Sequence, residues 1–383
     1  MDFSFTEEQK MLRESVSKLM DRHAPPETIR KLDREQAYPY ELYEAWAKAG
    51  LIRMPFPEEY GGLGGSVIDL AIINEELSMR STDFAMPYGG SVFCGLNVLK
   101  KGTEEQKRYW LPKVLSGEIK FSISMSEPDA GSDIGAMRTT ARREGGEWVI
   151  SGQKLWATGA AAKNNVINVY VKTDTKVHFR KGMSLFLVPN DTQGVKMRKL
   201  EMLGRRCAGT YEVFFDDVRV PHENLVGGEN KGFEVVLSGL NVERITSAAG
   251  SVGGAQAVLN LATQYAKDRK QFGRPIGTNQ AIAHMLADMH TQVEAARSLM
   301  WRAAWLVSSG TEAVREITMA KLFAAETYSK VAANGMQILG GYGMNYEFDM
   351  QRYFRDSRAA TVAAGTSEIQ RNLIANLIGL KVQ

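Results

Sequence analysis

The sequence predicts an α+β protein in which two helical segments flank a β-rich segment. Apolar residues recur at helical spacing through residues 6–117 and again from about residue 230 to the end. Between them, short β-branched and aromatic runs are separated by Gly, Asn, Asp and Pro, as is typical of strands. The 383 residues, 44% of them hydrophobic, are enough for two or three domains with cores of their own.

The first helical segment begins with a recognisable helix start. In "FTEEQKMLRESVSKLMDRHA", Thr6 is an N-cap candidate and is followed by two glutamates in the first turn. Farther on, the Gly-rich "PEEYGGLGGS" lacks the spacings GxGxxG and GxxxxGK[ST]. We therefore interpret it as a connector between helices rather than as a phosphate-binding loop.

The middle and last segments have different periodicities. Five closely spaced runs predict strands of a small barrel or sandwich: "KFSISMSE", "EWVISGQKLWAT", "NVINVYVKT", "MSLFLVP" and "TYEVFFDDVRVP". The last segment contains about four long amphipathic helices, which favours a four-helix bundle.

Composition argues against several classes of protein. The net charge is +3 with 24% charged residues and no Lys/Arg block, so nucleic acid is not an expected partner. The only cysteines, Cys94 and Cys207, suit a reducing compartment without a disulfide framework. The five histidines lack metal-ligand spacing, and no apolar run reaches the ~18 residues of a membrane span. Without a signal-peptide pattern, we expect a soluble cytoplasmic protein.

Two loop and strand motifs are candidates for ligand contacts. "SMSEPDAGSD" (124–133) leaves a strand, and its backbone N–H groups and hydroxyls offer hydrogen bonds to a phosphate or a ring, although an ordinary hairpin loop has the same pattern. In "KLWATGA" (154–160), Trp156 and Thr158 are two apart and are expected on one face of a strand. An indole and a hydroxyl there suit a planar cofactor, but plain packing explains them as well.

Three further motifs lie in the last helical segment, and each is ambiguous alone. Arg269 of "DRKQFGRPIG" suits a diphosphate or a solvated helix end. The Gly pair of "QILGGYG" permits close approach of a ligand or merely stops a helix. Thr366 of "AAGTSEIQ" is an N-cap candidate.

Taken together, these motifs resemble the acyl-CoA dehydrogenase family. "SEPDAGSD", "KLWATGA", "DRKQFG", "QILGGYG" and "GTSEIQR" stand in family order along essentially the whole chain. The resemblance implies an N-terminal helical domain (1–117), a middle β-barrel domain (118–228) and a C-terminal four-helix bundle (229–383). It also implies FAD as cofactor, an acyl-CoA substrate, an electron-transfer flavoprotein as electron acceptor, and a homotetramer.

The resemblance assigns site residues position by position. For FAD it implies the ring contacts Met125, Ser126, Trp156 and Thr158; the crossing of flavin and acyl-CoA at Gly131 and Ser132; a neighbouring subunit's cofactor at Arg269, Gln271, Phe272, Gln337 and Gly341; and a helix start over the diphosphate at Thr366 and Glu368. For the substrate it implies Ser132, Asn241, Arg244 and Ala364.

The chemistry of this family needs a base for the weakly acidic α-proton of an acyl thioester. Many relatives have a carboxylate where this chain has Ala364, preceded by Ala363. The isovaleryl-CoA and long-chain branches have it instead on the helix matching "LSGLNVER", where Glu243 stands. We therefore predict Glu243 as the catalytic base. A glutamate paired across helices, and an arginine at 244 with a structural role, are the alternatives.

The pattern leaves the reaction direction, acceptor and substrate open. An enoyl-CoA reductase, an oxygen-using oxidase and a non-catalytic flavoprotein scaffold are the competing hypotheses. Alanine at 363 and 364 removes bulk near the reacting carbons, which favours branched, alicyclic or otherwise bulky acyl groups. Tyr88 and Phe93 are candidates to refill that space.

Overall fold

The computed structural model describes residues 4–382, and the N-terminal part of it is helical as predicted. Thr6 caps the first helix: its hydroxyl accepts from the Gln9 N–H (3.2 Å), and the Gln9 side chain accepts from the Thr6 N–H. The six helices are α1 Glu7–His23, α2 Pro26–Glu35, α3 Tyr40–Lys48, α4 Val67–Arg80, α5 Ala85–Lys101 and α6 Glu104–Leu115.

The middle segment forms one sheet of eight strands. Their bounds are β1 Lys120–Ser124, β2 Thr140–Glu144, β3 Glu147–Thr158, β4 Asn165–Lys172, β5 Met183–Pro189, β6 Val195–Lys199, β7 Thr210–Pro221 and β8 Leu225–Val226. The strand order is β6-β7-β3-β2-β4-β5-β8, and β1 pairs with β4 in parallel.

The sheet is not a closed barrel, so that part of the prediction is wrong. Its end strands β6 and β8 do not pair with each other, and β8 is only two residues long. The two halves of the sheet meet through a single residue pair, Thr140 with Lys172, because β2 runs along β3 rather than β4. Side chains of both halves nevertheless share one apolar core, with Trp148 against Phe186.

The last segment contains three long helices and three short ones. The elements are α7 Gly232–Asp268, the β9 Lys270–Gln271 and β10 Arg274–Pro275 hairpin, α8 Gln280–Ser308, α9 Val314–Leu339, α10 Gly341–Met344, α11 Met350–Ala360 and α12 Ser367–Leu377. Three of the predicted long helices are α7, α8 and α9, whereas the fourth, predicted over residues 366–380, is the short α12. The preceding α11 was not predicted, and between α11 and α12 Ala364 (φ 55°) and Gly365 (φ 87°) are left-handed.

Small residues of α7 let it pack closely against helices of both other helical layers. A Cβ on Gly253 would lie 2.1 Å from the Glu75 carbonyl oxygen of α4, and one on Gly254 would lie 2.6 Å from the Tyr328 ring of α9. Because α7 touches α4, α5 and α9, its residues reach the junction of the N-terminal helices, the sheet and the C-terminal helices.

Candidate active site

A cleft opens where these three parts meet, and it brings the predicted base and flavin site together. Space outside protein atoms within it totals about 1060 Å³, including the part open to solvent. Glu243 of α7, Thr158 at the end of β3, and Ala363 and Ala364 of the α11–α12 turn all line it. The first and last of these four residues are more than 200 positions apart in the sequence, yet all four border one cavity, as the family resemblance implies.

The Glu243 carboxylate has no protein partner among residues 4–382. No ion pair or side-chain hydrogen bond involves it, and only its backbone carbonyl accepts, from the Thr246 hydroxyl (3.0 Å). Burial raises its pKa to about 7, although the positive charges of Arg244 and Lys321 act to lower it. The alternative of a structural carboxylate paired across helices therefore does not hold, and the side chain is free to face the cleft.

Arg244 points elsewhere. Its side chain is buried, its Nε has no hydrogen-bond partner, and it is not among the residues that line the cleft. Successive helix positions differ by about 100°, which explains why neighbouring Glu243 and Arg244 form no pair. The predicted contacts of Arg244 and Asn241 with acyl-CoA stay predictions.

A buried lysine holds the turn that carries Ala364 through hydrogen bonds to its backbone. Lys321 of α9 donates to the carbonyls of Ala360 (3.2 Å) and Gly365 (2.6 Å). Thr366 caps α12 as predicted, its hydroxyl accepting from the Ile369 N–H (3.2 Å). The Ala364 N–H finds no acceptor within the described chain, and Ala364 is one of the residues that line the cleft.

Strand β3 and the loop after β1 form the predicted flavin surface. The buried Lys154 ammonium donates to the Met125 carbonyl (2.9 Å) and to Glu127 Oε1 (2.7 Å), and the Leu155 N–H donates to the Ser126 carbonyl (2.9 Å). Burial lowers the pKa of Lys154 to about 8. These bonds hold Met125 and Ser126 beside β3.

Sequence reasoning missed this Lys154–Glu127 pair. The available signal was a lysine within the predicted strand "EWVISGQKLWAT" and a glutamate at the end of "KFSISMSE", because such charges are buried only when they are paired.

A β-bulge alters the expected alternation of Trp156 and Thr158. The pairing with β7 shifts register between Lys154 and Ala157, and Trp156 has φ 64°. Trp156 is left 53% exposed, whereas Thr158 lines the cleft with its hydroxyl 3.4 Å from that of Thr210. An uncovered indole beside a cleft-facing hydroxyl fits the edge and face of a flavin ring.

Gly131 and Ser132 lie on the exposed loop between β1 and β2, where a Cβ on Gly131 would meet no atom within 4 Å. That open position leaves room for a ligand, and the assignment of both residues to the crossing of flavin and acyl-CoA stays a prediction.

The remaining predicted cofactor residues lie on the outer surface, remote from the cleft. Arg269 packs its guanidinium over the Tyr342 ring (5.4 Å), next to Gly341. Gln271, Phe272 and Gln337 are exposed, Phe272 completely. Glu243 lies in the first third of α7 and Arg269 is the C-cap of that helix, 26 positions later, or roughly 39 Å along its axis. One chain therefore does not bring both groups to one FAD molecule.

Phe93 and Tyr88 were both expected in the wall of the cleft, but they lie in different places. Phe93 lines the cleft, but Tyr88 does not: it is fully buried and donates to the Leu51 carbonyl (3.2 Å). Tyr88 belongs to the core because its ring packs edge-on against Trp46. Gly89 and Gly90 of α5, which follow Tyr88 in the sequence, line the cleft instead.

Family models match nearly the whole chain. They are those of the acyl-CoA dehydrogenase N-terminal domain (residues 6–118), middle domain (122–218) and C-terminal domain (230–379). The chain belongs to the acyl-CoA dehydrogenase family. Family members are FAD-dependent flavoprotein oxidoreductases, which confirms the predicted enzyme class and cofactor.

Individual relatives agree along their full lengths. The chain is 38% identical to a probable acyl-CoA dehydrogenase, YngJ, of Bacillus subtilis, with 98% of this chain and 99% of that protein covered. It is 36% identical to the caffeyl-CoA reductase-Etf complex subunit CarC of Acetobacterium woodii, with 98% and 99% covered. The solved structure of butyryl-CoA dehydrogenase from Megasphaera elsdenii superposes with a TM-score of 0.94 at 30% identity, covering 99% and 100%.

No helix in the described range 4–382 is both long and apolar enough to cross a bilayer.

Proposed function

We propose that this acyl-CoA dehydrogenase removes the α-proton of its substrate with Glu243. The supporting observation is a glutamate that faces the cleft without a partner and has a pKa raised to about 7. A base of that pKa is half ionised at neutral pH and basic enough to take a proton from carbon next to a thioester. Ala364, across the same cleft, has no group that accepts a proton.

The residues around Glu243 support this role in three ways. Arg244 and Lys321 keep its pKa from rising further, so that the carboxylate is available at neutral pH. The free Ala364 N–H is a donor for the negative charge that develops on the thioester oxygen. The apolar Phe93, Phe121 and Ile123 exclude water from the reacting carbons.

FAD, when bound, supplies the hydride acceptor for the β-carbon. We expect the Thr158 hydroxyl and the backbone N–H groups of Met125 and Ser126 to hold the ring beside β3, since the bonds from Lys154 and Leu155 to the two carbonyls fix this loop and Trp156 is uncovered. The pair of Lys154 and Glu127 keeps that loop in place. Glu243 would take the α-proton, and a bound FAD would supply the acceptor for the β-hydride, so that the Cα–Cβ bond would become a trans double bond.

A second subunit completes the cofactor site in this proposal. Arg269 follows Glu243 by roughly 39 Å along α7. None of this second group of predicted cofactor residues lines the cleft that holds Thr158: Arg269, Gln271, Phe272, Gln337 and Gly341. We infer that they bind the cofactor of a neighbouring subunit in a homo-oligomer, which we expect to be a tetramer. A cytoplasmic location stays a prediction.

The names of the relatives suggest an electron acceptor and a direction of the reaction. We favour an electron-transfer flavoprotein as acceptor, since one relative is named as a subunit of a reductase-Etf complex. The same name makes enoyl-CoA reduction the second candidate, because the proton and hydride steps are reversible.

For the substrate, we infer that branched or bulky acyl groups are accepted. The cleft has alanines at 363 and 364 and glycines at 89 and 90 on its walls. A Cβ on Gly89 would meet no atom within 4 Å, so this wall is open.

Anaerobic mixing with acyl-CoA tests the proposal. The purified holoenzyme should contain about one FAD per chain. Its flavin absorbance should bleach on mixing with at least one member of the panel isovaleryl-, cyclohexanecarbonyl- and butyryl-CoA. A non-catalytic scaffold would bind without bleaching. In a reductase, the matching enoyl-CoA would oxidise the reduced flavin faster than the acyl-CoA would reduce the oxidised flavin. If butyryl-CoA had the highest kcat/KM, the inference about bulky groups would be wrong.

A further inference from the structure

The cleft has a polar end that the dehydrogenation step does not use. Beyond Glu243, the cleft face of α7 continues through Ser247, Gly250 and Ser251. Gly250 is seven positions past Glu243, or roughly 10 Å along the helix. Side chains from three other parts of the fold join α7 there, and most bear hydroxyl groups or a positive charge: Ser78, Thr82, Arg205 and Tyr328.

Arg205 is the only cation among the residues that line this cleft, and its guanidinium lacks a protein partner. None of the ion pairs or hydrogen bonds among residues 4–382 involves its guanidinium nitrogens, and Nε is buried. Asp83 and Asp356 are close enough to influence its charge but form no ion pair with it. A guanidinium whose Nε is buried without a hydrogen-bond partner is costly to fold, unless a ligand satisfies it.

The backbone around Arg205 is held in place by two buried carboxylates. Asp356 of α11 accepts from the Arg205 N–H (2.7 Å), and Asp83 accepts from the N–H groups of Cys207 (2.6 Å) and Ala208 (3.1 Å). Arg205 itself has φ 56°, a conformation that L-residues rarely adopt. The loop is therefore fixed by both helical domains, and the carboxylates that fix it are occupied by backbone donors rather than by the guanidinium.

Ser78 is a second polar group without a partner at the same end. It is 1% exposed, it lines the cleft, and its Oγ has no hydrogen bond in the described structure. The opposing position is Gly250, where a Cβ would stand 3.1 Å from that oxygen. A glycine there keeps the space in front of the Ser78 hydroxyl open.

We propose that this polar end, formed by Arg205 and Ser78, binds a carboxylate at the far end of the acyl group. The substrate is then the mono-CoA thioester of a dicarboxylic acid. Arg205 matches a carboxylate with paired N–H donors, and Ser78 adds one hydroxyl donor. This inference rests on the proposed function, since it takes the acyl group to lie along α7 from Glu243. It is compatible with bulk near the reacting carbons, which concerns the other end of the cleft.

The test compares each dicarboxylic thioester with an uncharged molecule of the same shape. The acids are chosen so that the extended chain spans the distance from Glu243 to the polar end: suberyl-CoA is paired with 8-methylnonanoyl-CoA and sebacyl-CoA with 10-methylundecanoyl-CoA, in which an isopropyl group replaces the carboxylate. For the holoenzyme, kcat/KM of the better acid should exceed that of its partner by roughly 10- to 100-fold, as expected for charge-assisted hydrogen bonds in a desolvated site. If neither acid exceeded its partner, the proposal would be wrong even though acyl-CoA dehydrogenation stood.

Variants then locate the effect. Arg205→Met should lower the acid-to-isostere ratio at least tenfold, and Ser78→Ala should lower it by a smaller factor. Arg206→Met is the matched control, because it removes the same charge from the neighbouring residue, which does not line the cleft; it should leave the ratio as in the wild type.

Two outcomes overturn the assignment. If Arg205→Met lowered FAD content, or slowed both members of each pair equally, the guanidinium would serve the cofactor or the fold rather than the acyl group. If no thioester in either series bleached the flavin, the proposed function would fail, and this inference with it.

Discussion

Replacing Glu243 by glutamine is the most direct perturbation of the proposed mechanism. Glutamine keeps the size of the side chain but cannot accept the α-proton. General-base catalysis contributes roughly 10²–10⁴ in rate, so flavin reduction should slow by that factor. FAD and acyl-CoA should still bind, because Glu243 makes no contact that holds the cleft together.

The pH dependence gives a second, independent readout. With a pKa of about 7, Glu243 is roughly 9% ionised at pH 6 and 91% at pH 8. Wild-type kcat/KM should therefore rise about tenfold over this interval, since the ionised form is the base. The variant should lack this step.

Anaerobic stopped-flow measurement of flavin bleaching checks both statements. Glu234→Gln is the matched control: it is the same substitution on the same helix, at an exposed glutamate paired with Lys231 (3.0 Å). The control should keep the wild-type rate and the pH step. Near wild-type bleaching in Glu243→Gln, or a pH step that persists there, would show that the base lies elsewhere.

Four more predictions follow from the structure. The pKa of Glu243 is about 7 in the folded protein and 4.5 in the unfolded chain, so its contribution to stability is complete below pH 4.5 and is lost as the pH rises to 7. Between pH 5 and pH 8, the free energy of unfolding of Glu243→Gln, followed by thermal unfolding, should therefore rise by about 2.5 kcal/mol relative to that of the wild type. Lys154→Met should cost about 3–5 kcal/mol by leaving the buried Glu127 carboxylate without its counter-charge and held only by the Arg138 and Thr139 N–H groups, with FAD content falling; adding Glu127→Leu should restore part of the unfolding free energy but not the FAD. Glu243→Gly with Ala364→Glu should regain part of the bleaching rate and shift preference toward straight chains, whereas Glu243→Gly alone should not. Arg269→Met should lower FAD retention while the oligomer, followed by ultracentrifugation, stays intact; unchanged retention would contradict its cofactor role.

The succession of helical, β-rich and helical segments was predictable because each type of element has its own apolar periodicity. The Thr6 and Thr366 caps could be predicted because capping depends on a few neighbouring residues. The closure of the sheet was predicted wrongly. Whether β6 meets β8 depends on register and on the length of β8, which no local pattern specifies.

Candidate site residues separate in the same way. Glu243 was identified from its position in a helix together with the alanine at 364, and its pKa follows from burial that the apolar neighbours of α7 already suggested. Lys154 with Glu127 is a contact between segments 27 positions apart. The sequence shows both charges but not that they meet.

Arg205 was missed for a physical reason. In the sequence it is one of two consecutive arginines in a polar loop, where a solvated side chain is the ordinary expectation. Its orientation is set by hydrogen bonds to Asp83 and Asp356, 122 and 151 positions away, which use the loop's backbone N–H groups. Those carboxylates would be natural ion-pair partners for an arginine. Since they are engaged by the backbone, the guanidinium is left to the cleft, and the charge of the cleft is a property of the tertiary fold rather than of any local motif.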